Sequence, residues 1–230
     1  MTATSLLSTP QNLELLIESS DTFDIREFAV KDAVNALFSI DLLVRSSNPA
    51  VDFESTIGAQ ATFRIGVDAD LLTGAPSPSW SGVVTDIQQV MSENTGLSTY
   101  RIRLAPLLWL LTQRTNCRVF QQMTDLQVVL AMFEEWGLPC ESLCQEVYKT
   151  RKYRVQYQET DFAFVSRLLE DSGISFIFEQ RENGSVVVLR DAPEAVTPRA
   201  APLEHVNEVT AGQHVYATKL RAERRVRPVL

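Results

Sequence analysis

The sequence predicts a mixed β and α/β fold, in which an N-terminal antiparallel β-barrel precedes an α+β region. Between residues 12 and 104, short runs of alternating apolar and polar residues are separated by turn-forming residues, which is typical of antiparallel strands. Beyond Pro106, two segments carry apolar residues at the three- and four-residue spacings of amphipathic helices. Strand-like runs flank the second helix, so helices and strands are interleaved in this part of the chain.

The composition is that of a globular protein with a sizeable core: 230 residues, of which 45% are hydrophobic and 22% charged. No apolar run approaches the roughly 20 residues that cross a bilayer, and the first twenty residues contain no Lys, Arg or sustained apolar run of a secretory signal. A formal net charge of −8 argues against a nucleic-acid partner, because phosphate binding requires clustered Lys and Arg. Three cysteines, an odd number without dense spacing, are typical of thiols in a reducing compartment.

Five strand-like runs make up the N-terminal region, at residues 13–17, 39–44, 61–66, 83–91 and 100–104. Loops rich in Pro, Gly and Ser lie at 46–49 and 74–79. We expect a barrel rather than an open sheet, because closure removes exposed strand edges. Pro106 ends the last strand, and the apolar run at 107–111 is expected to form a short helix or helical turn packed under the barrel.

A first helix and a hairpin are expected between residues 113 and 191. Thr124 and Gln127 have the spacing of a capping box, and the apolar helix that they begin ends at Gly137, with Pro139 beyond it. An Asn-Gly pair at 183–184 separates the runs 176–178 and 186–189, which predicts a β-hairpin because both turn residues must tolerate positive φ. No internal repeat at a fixed short period is evident.

Residues 151–178 predict a strand, a capped helix and a second strand in immediate succession. Apolar and polar side chains alternate from 152 to 158, which predicts a strand with one face in water. Thr160 or Asp161 is expected to cap the helix, and Gly173 to end it in the left-handed conformation. The apolar residues of the strand are Tyr153, Val155 and Tyr157, those of the helix face are Phe162, Phe164, Val165, Leu168 and Leu169, and those of the following strand begin with Ile174.

The C-terminal residues predict a connector followed by strands. Residues 191–202 are rich in Pro and Ala, and the runs 206–210 and 216–226 are strand-like. These strands have few partners, so they belong to a further domain, pair back onto the barrel or pair with another subunit. The basic run formed by Arg221, Arg224, Arg225 and Arg227 is either a solvated strand face or a contact with an acidic partner or subunit.

Catalytic and metal-binding patterns are weak, so no catalytic residue, cofactor or metal is expected. His205 and His214 lie apart from any nucleophile motif. Cys140 and Cys144, with Cys117 and His205, make a zinc site conceivable, but their spacing is unlike a zinc finger and small core residues are the alternative. The adjacent Glu134 and Glu135 do not face each other across a substrate and are expected on a solvated helix face.

The segment 151–178 resembles the signature of the VgrG family, the trimeric spike proteins of type VI secretion, which are similar to the baseplate hub of contractile phage tails. Four runs stand in the family's order: 153–157, 159–162, 164–169 and 173–174. The residues that carry this signature are Tyr153, Val155, Gln156, Tyr157, Glu159, Asp161, Phe162, Phe164, Val165, Arg167, Leu168, Leu169, Gly173 and Ile174. Residues 82–84, 100–111 with Pro106 and Trp109, 118–121, and the helix from Thr124 resemble the preceding part of the hub.

The resemblance implies three regions: a first hub barrel at 1–112, an α+β domain with two amphipathic helices and a hairpin at 113–191, and a connector with the first strands of a second, truncated barrel at 192–230. It also implies a homotrimer seated on the hexameric tube protein Hcp, with needle, tip, effector and adaptor proteins as further partners. Such a hub assembles in the cytoplasm and is then secreted or injected without a signal peptide. In the family an OB-like domain and a β-helical needle follow the hub. The chain is therefore either a hub fragment of a longer protein or an unusually short member of the family, and we expect a fragment.

Three alternatives remain open from the sequence. The first is a hub of a contractile phage tail or of an extracellular injection particle, which has the same fold. The second is a cell-wall hydrolase. The third is a carbohydrate- or protein-binding β-barrel module, whose distinguishing feature would be an exposed aromatic platform, whereas the aromatic residues here fall mostly at core spacings.

Overall fold

The computed structural model describes residues 13–18, 21–66, 78–92, 97–181 and 184–192, together with the backbone of Glu204–His205 and Tyr216–Ala217. Two compact units divide the chain, Met1–Glu194 and Ala195–Leu230. The regions 1–112 and 113–191, expected as separate domains, both lie within the first unit. No helix in the described ranges is both long and apolar enough to span a membrane.

The N-terminal strands form one curled antiparallel sheet. Its strands are β1 (Leu13–Ile17), β2 (Asp24–Lys31), β3 (Ser39–Ser46), β4 (Gln60–Ile65), β5 (Ser79–Ser92) and β6 (Ser98–Ala105), in the order β1-β4-β5-β6-β3-β2. A short helix, α1 (Phe53–Thr56), lies between β3 and β4. The sequence did not predict β2 or α1, because β2 is an edge strand with mostly exposed side chains and a bulge between Ile25 and Glu27.

The inner face of this sheet holds the first hydrophobic core. Along β3, every second residue is buried, and Ile40, Leu42 and Val44 expose at most 1% of their surface. The curl brings Phe28 of the edge strand β2 against Phe63 of β4, with ring centroids 5.3 Å apart. The predicted antiparallel barrel is therefore confirmed in the form of a half-barrel, in which β1 and β2 are the two edges of the sheet.

Gly82 is required where β5 passes close to β6. A Cβ atom at this position would lie 2.0 Å from the carbonyl oxygen of Ala105 and 2.8 Å from its carbonyl carbon, and both are backbone atoms that cannot rotate away. We therefore expect Gly82→Ala to destabilise the protein by about 3 kcal/mol, because the strands must separate to admit the methyl group. Thermal denaturation followed by circular dichroism should show a melting temperature lower by about 6 to 12 °C. Gln88→Ala, an exposed change in the same strand, is the control, and equal melting temperatures for the two variants would contradict the close approach.

The second part of this unit combines helices with short sheets. Its elements are a 3-10 helix (Leu107–Thr112), β7 (Thr115–Met123), α2 (Asp125–Glu135), β8 (Cys140–Ser142), β9 (Arg151–Thr160), α3 (Asp161–Asp171), β10 (Ser175–Arg181) and β11 (Gly184–Arg190). Strands β7 and β9 form an antiparallel two-stranded ribbon, while β10, β11 and β8 form a sheet in that order. Both predicted helices and the predicted hairpin of β10 and β11 are confirmed, although the turn residues 182–183 lie outside the described ranges.

A second hydrophobic core lies between the two helices and the β10-β11-β8 sheet. Val128, Met132, Phe164 and Leu168 are fully buried in it. Leu108 of the 3-10 helix is buried in this core, with Leu111 beside it. The predicted short helix is therefore confirmed, but its packing under the barrel was wrong, because Leu108 and Leu111 are buried in the core of the α+β part.

The two cores are joined by a few specific contacts. The backbone amide of Asn35 donates to the carbonyl oxygen of Phe176 over 3.0 Å, and its side-chain oxygen accepts from the Phe176 amide over 2.8 Å. Asn35 has a φ of 58°, a conformation that asparagine tolerates better than most residues. The ring of Phe178 meets that of Phe38 edge-on at 5.1 Å. The half-barrel and the α+β part therefore act as one packed body.

The α+β part contains an internal repeat that the sequence analysis missed. The segment from Arg118 to Gly137 matches the segment from Arg154 to Gly173 at a constant spacing of 36 positions. Identical pairs are Arg118 and Arg154, Val119 and Val155, Gln122 and Gln158, Thr124 and Thr160, Asp125 and Asp161, Val129 and Val165, Glu134 and Glu170, and Gly137 and Gly173. Each copy folds as a strand followed at once by a helix, and both glutamines have positive φ.

The second unit is described only at two short strands. These are β12 (Glu204–His205) and β13 (Tyr216–Ala217), which pair in parallel. The predicted strand at 206–210 and most of that at 216–226 lie outside the described residues. So do the basic residues Arg221, Arg224, Arg225 and Arg227, and the start of a second barrel remains a prediction.

Candidate functional site

The strand β9 presents its apolar side chains to the outside, which is the reverse of the expected arrangement. Tyr153, Val155 and Tyr157 expose 66%, 41% and 70% of their surface, whereas Gln156 is fully buried. On the paired strand, Val119 lies opposite Val155 and is 60% exposed. We call the outward side of these two strands the ribbon face, formed by Cys117, Val119, Gln121, Tyr153, Val155 and Tyr157.

The inward side of the ribbon is polar because it supplies the partners of a buried carboxylate, Asp161. One oxygen of Asp161 accepts from Arg118 Nη2 at 3.0 Å and Gln156 Nε2 at 2.8 Å, and the other from Arg114 Nε at 2.7 Å and Trp136 Nε1 at 3.0 Å. Arg114 also lies over the Trp136 ring, 4.5 Å from its centroid. A fully buried carboxylate is tolerated only with such partners.

A second buried carboxylate, Asp125, has an equivalent set of partners. Its oxygens accept from Arg154 Nε at 2.5 Å, from Arg154 Nη2 at 2.8 Å, and from Arg151 Nη2 at 3.1 Å. Ser172 Oγ lies 3.4 Å from the same carboxylate. Arg154 further contacts Asp171 at 3.3 Å, so this cluster extends to the surface.

In each cluster the aspartate belongs to one copy of the repeat, and the arginines that bind it belong to the other copy or directly precede that copy. Asp125 begins α2 and is bound by arginines of β9, whereas Asp161 begins α3 and is bound by Arg118 of β7 and by Arg114 just before it. Antiparallel pairing causes this arrangement, because it places the end of each strand, where its helix begins, beside the start of the other. A carboxylate at a helix N-terminus is also favoured by the helix dipole.

Threonine caps complete both helix starts. The Thr124 hydroxyl accepts from the Gln127 amide at 3.1 Å, while the Gln127 side chain accepts from the Thr124 amide at 2.8 Å, so the predicted capping box is confirmed. The Thr160 hydroxyl accepts from the Ala163 amide at 3.1 Å. Of the two residues considered for this cap, Thr160 is therefore the cap, and Asp161 is the first helical residue.

Both carboxylates have a pKa below their usual range. Burial by itself raises the pKa of Asp161, but hydrogen bonds from Gln156, Trp136 and Arg114, with the charge of Arg118, outweigh it. Burial likewise raises the pKa of Asp125, and the hydrogen bonds and charges of its two arginines outweigh it. All four oxygens are occupied by donors, so this arrangement orients two helices on a ribbon and leaves no carboxylate oxygen free for proton transfer.

The lowered pKa values predict a loss of stability in acid. An aspartate has a pKa of about 3.9 in the unfolded chain. When folding lowers this pKa, the ionised carboxylate stabilises the fold fully at any pH above about 3.9. This stabilisation is lost as the pH falls further, through the pKa of the folded state. We therefore expect the urea midpoint to stay nearly constant from neutral pH to about pH 5 and to fall steeply below about pH 4. Urea titrations at several pH values measure this, and a midpoint that rises on acidification would contradict it.

The other signature residues on the helix lie where the sequence placed them. Phe164, Val165, Leu168 and Leu169 are buried, and Phe162 packs against the same core while partly exposed. Gly173 has a φ of 67°, as expected for a helix end, and Ile174 is buried after it. Glu159 accepts from Arg167 Nη2 at 2.6 Å on the surface.

The acidic pair lies on an exposed helix face, as expected, and two of the three cysteines pack against the core. Glu134 and Glu135 are both exposed, and Glu135 also makes ion pairs with Arg114 and Arg118, both at 2.6 Å, so it belongs to the Asp161 cluster. Cys140 and Cys144 pack against the helical core, where burial raises the pKa of Cys140 to about 12. Cys117 is exposed on the ribbon face, so the core position expected for it was wrong. In the ranges that the structure describes, no group of three or more His, Cys, Asp or Glu residues is arranged to hold a metal.

Sequence reasoning missed Arg114, Arg118, Trp136, Asp125 and Arg151 as members of the two clusters. A signal was present, since both copies of the repeat carry Arg-Val in the strand and Thr-Asp at the helix start. A Thr-Asp pair reads as an ordinary helix cap, and only the paired strands reveal that each aspartate is buried against the other copy.

Comparison with known proteins agrees with this architecture. The chain is 30% identical over 173 residues to the type VI secretion system spike protein VgrG1c of Pseudomonas aeruginosa, a match that covers 75% of this chain and 23% of the relative. The chain thus spans about a quarter of the length of the curated relatives that it matches. These matches confirm the resemblance to VgrG spike proteins that residues 151–178 indicated.

Solved structures share the fold. An E. coli component of the type VI secretion system, described as structurally similar to the T4 bacteriophage tail proteins gp27 and gp5, superposes with a TM-score of 0.72 at 25% identity over 80% of this chain and 51% of its own. The 43 kDa tail protein of prophage MuSo2 from Shewanella oneidensis has the same fold, with a TM-score of 0.56 at 15% identity over 89% of this chain and 62% of its own. Residues 31–229 also match the family model of the phage tail baseplate hub. This range includes strands β3 to β6 of the half-barrel and both paired helices. The chain therefore belongs to the phage tail baseplate hub (GPD) family.

Proposed function

We propose that this chain is the hub portion of a trimeric spike in a type VI secretion apparatus, seated on the hexameric tube protein Hcp and expelled when the sheath contracts. The observation that carries this proposal is the match to VgrG1c and to the E. coli component, which covers three quarters or more of the chain. Membership of the baseplate hub family supports the same role, because a spike hub and a phage baseplate hub occupy equivalent positions in the two machines.

The structure suits a mechanical role that requires no turnover. The two hydrophobic cores are joined through Asn35 and Phe178, and the helices are held on the ribbon by buried ion pairs with Asp125 and Asp161. The contacts of Asn35 and Phe178 join the half-barrel to the α+β part, and the ion pairs fix the helices to the ribbon, which suits a part that is expelled without changing shape. We propose on this basis that the chain is not an enzyme.

We propose further components for the assembled spike. A Francisella VgrG, which shares the fold with a TM-score of 0.54 at 9% identity, is known in complex with PdpA. By analogy, needle, tip and effector or adaptor proteins are the partners proposed for the spike of this chain. Assembly in the cytoplasm followed by secretion or injection is the corresponding proposal for location.

A secretion assay tests this function. Deleting the gene in the strain that encodes the protein is expected to abolish release of the tube protein into the culture medium, measured by immunoblot, while its level inside the cells stays unchanged. Complementation with wild-type protein or with the surface variant Gln88→Ala should restore release. Unchanged release in the deletion strain would contradict the proposal.

A hub of a contractile phage tail is the second candidate, favoured by the shared fold of the Shewanella prophage tail protein. The same deletion strain separates the two. Loss of tailed particles after prophage induction, with release of the tube protein intact, would assign the chain to a phage tail instead.

A further inference from the structure

The ribbon face is a large apolar surface that the described part of the chain leaves exposed. Val119 and Val155 form a cross-strand pair at its centre, and Tyr153 and Tyr157 flank them. Judged from the exposed fractions of these four residues and the usual size of such side chains, the face exposes on the order of 500 Å² of mostly apolar surface. This lies at the upper end of the patches that monomeric proteins leave in water, and such patches are usually functional.

The strands do not need this face for their own stability. Their inward side already packs through Phe120, whose ring stacks on that of Phe164 at 5.7 Å, and through the arginines that bind the two aspartates. In the described ranges, β7 and β9 pair with each other and with no third strand. The outward-facing Val and Tyr side chains are therefore available for contact with a binding partner.

The charge of the face favours a second copy of the chain as that partner. Two chains of net charge −8 repel each other, so their contact surface must be free of carboxylates. The six residues of the ribbon face carry no charged side chain, whereas the exposed sides of β2 and β5 carry Asp24, Glu27 and Asp86. A tyrosine-containing surface depleted of charge has the composition of the centre of a protein interface.

The area also suits self-association. In a closed trimer each contact joins two different surfaces, so the ribbon face of one copy would lie against another surface of the next copy. Such a contact would bury on the order of 500 Å² on each side, about 1,000 Å² in total, which is near the lower limit for a specific interface and predicts a weak association. A weak contact of this kind gains strength when several occur together in one closed assembly.

We propose that a second copy of this chain covers the ribbon face, which makes this face a subunit contact of the spike. The inference rests on the proposed function, which supplies the homotrimer. What it adds is the surface through which the copies contact each other. Another protein or a lipid surface as the occupant is an outcome that the test distinguishes.

Analytical ultracentrifugation of the whole chain, from low micromolar to several hundred micromolar concentration, tests the contact. The average mass of the wild type is expected to rise above the 25.8 kDa of one chain as the concentration increases. Val155→Glu and Tyr157→Glu, each of which places a charge in the contact, should weaken association at least about tenfold. Val147→Glu is the matched control, since Val147 is 97% exposed in the loop between β8 and β9 and lies off the face.

Cys117 provides a second measurement, because it is a native reactive side chain on the face. Its thiol is exposed on the ribbon face, whereas Cys140 and Cys144 are partly covered by the helical core. We expect alkylation of Cys117 by iodoacetamide, followed by peptide mass spectrometry, to slow as the protein concentration rises. In Tyr157→Glu the rate should not depend on concentration.

Each result bears on one of the two proposals. A wild-type mass that stays at one chain, with a constant Cys117 rate, would overturn the inference, as would association that Val155→Glu and Tyr157→Glu leave intact. Binding of the wild-type face to vesicles of neutral phospholipid without self-association would assign the face to a lipid and also overturn it. The protein could also associate through this face while deletion of its gene leaves secretion unchanged. That pair of results would overturn the proposed function and would still support the contact.

Discussion

Replacing both Phe164 and Leu168 by aspartate is expected to prevent folding. The two side chains are fully buried on the same face of α3, and Phe164 stacks on Phe120 across the second core. The double variant loses the burial of a large aromatic and an aliphatic side chain, each worth about 2 to 5 kcal/mol, and leaves two carboxyl groups without partners. The two packing losses together amount to about 4 to 10 kcal/mol, and the buried carboxyl groups add to this, so the total is comparable to the roughly 5 to 15 kcal/mol by which most domains are stable.

Near-ultraviolet circular dichroism and thermal denaturation measure this effect. We expect no near-ultraviolet signal and no cooperative transition for the double aspartate variant. The matched control is Phe164→Leu with Leu168→Met, which keeps both positions apolar and should cost under about 1.5 kcal/mol at each position. A double aspartate variant with the wild-type melting curve would show that α3 packs through another face.

Removal of the Asp161 carboxylate is expected to have the second largest effect. Asp161→Ala removes the buried acceptor of the Trp136 indole and of Arg114 and Arg118. The two arginines are partly exposed and keep their ion pairs with Glu135, so their inward-facing N–H groups lose a partner while the charges remain paired at the surface. Breaking a buried ion pair by removing one partner costs about 3 to 5 kcal/mol, because the remaining groups stay desolvated. For a chain of this size, the melting temperature should fall by about 6 to 20 °C.

A surface acid of the same helix is the control. Asp171 contacts Arg154 at 3.3 Å but is 45% exposed, so Asp171→Ala should change stability by no more than about 1 kcal/mol. The pH dependence offers a further check, because the lowered pKa of Asp161 makes its contribution vanish in acid. The stability difference between wild type and Asp161→Ala should therefore shrink below about pH 4, and a difference that stays constant with pH would assign the effect to packing alone.

Helix faces, caps and the hairpin were predictable because their signals are local. A helix repeats every 3.6 residues, so the apolar stripe of Phe164, Val165 and Leu168 can meet a core in only one way. The hydroxyls of Thr124 and Thr160 reach amides only three residues away, and the left-handed Gly173 needs no distant partner. These features follow from the chain within one or two helical turns.

The missed strand β2 and the open edges of the half-barrel depend on distant residues. An edge strand needs only one partner and little burial, so β2 lacks the alternation that marks β3. Whether β1 and β2 pair with each other is decided by the curl of the four strands between them, to which every core side chain contributes. No window of sequence contains that information.

By itself, the sequence determined the order of the elements, the buried face of each helix and the family resemblance carried by residues 151–178. Only the tertiary structure decided which side of β9 faces outward. The alternating pattern places Tyr153, Val155 and Tyr157 on the same face of the strand. From hydrophobicity alone, this face would be predicted to pack against the core. The structure turns it outward because Arg154 and Gln156 must reach inward to the buried Asp125 and Asp161, and leaving those carboxylates without donors would cost more than exposing two tyrosines and a valine.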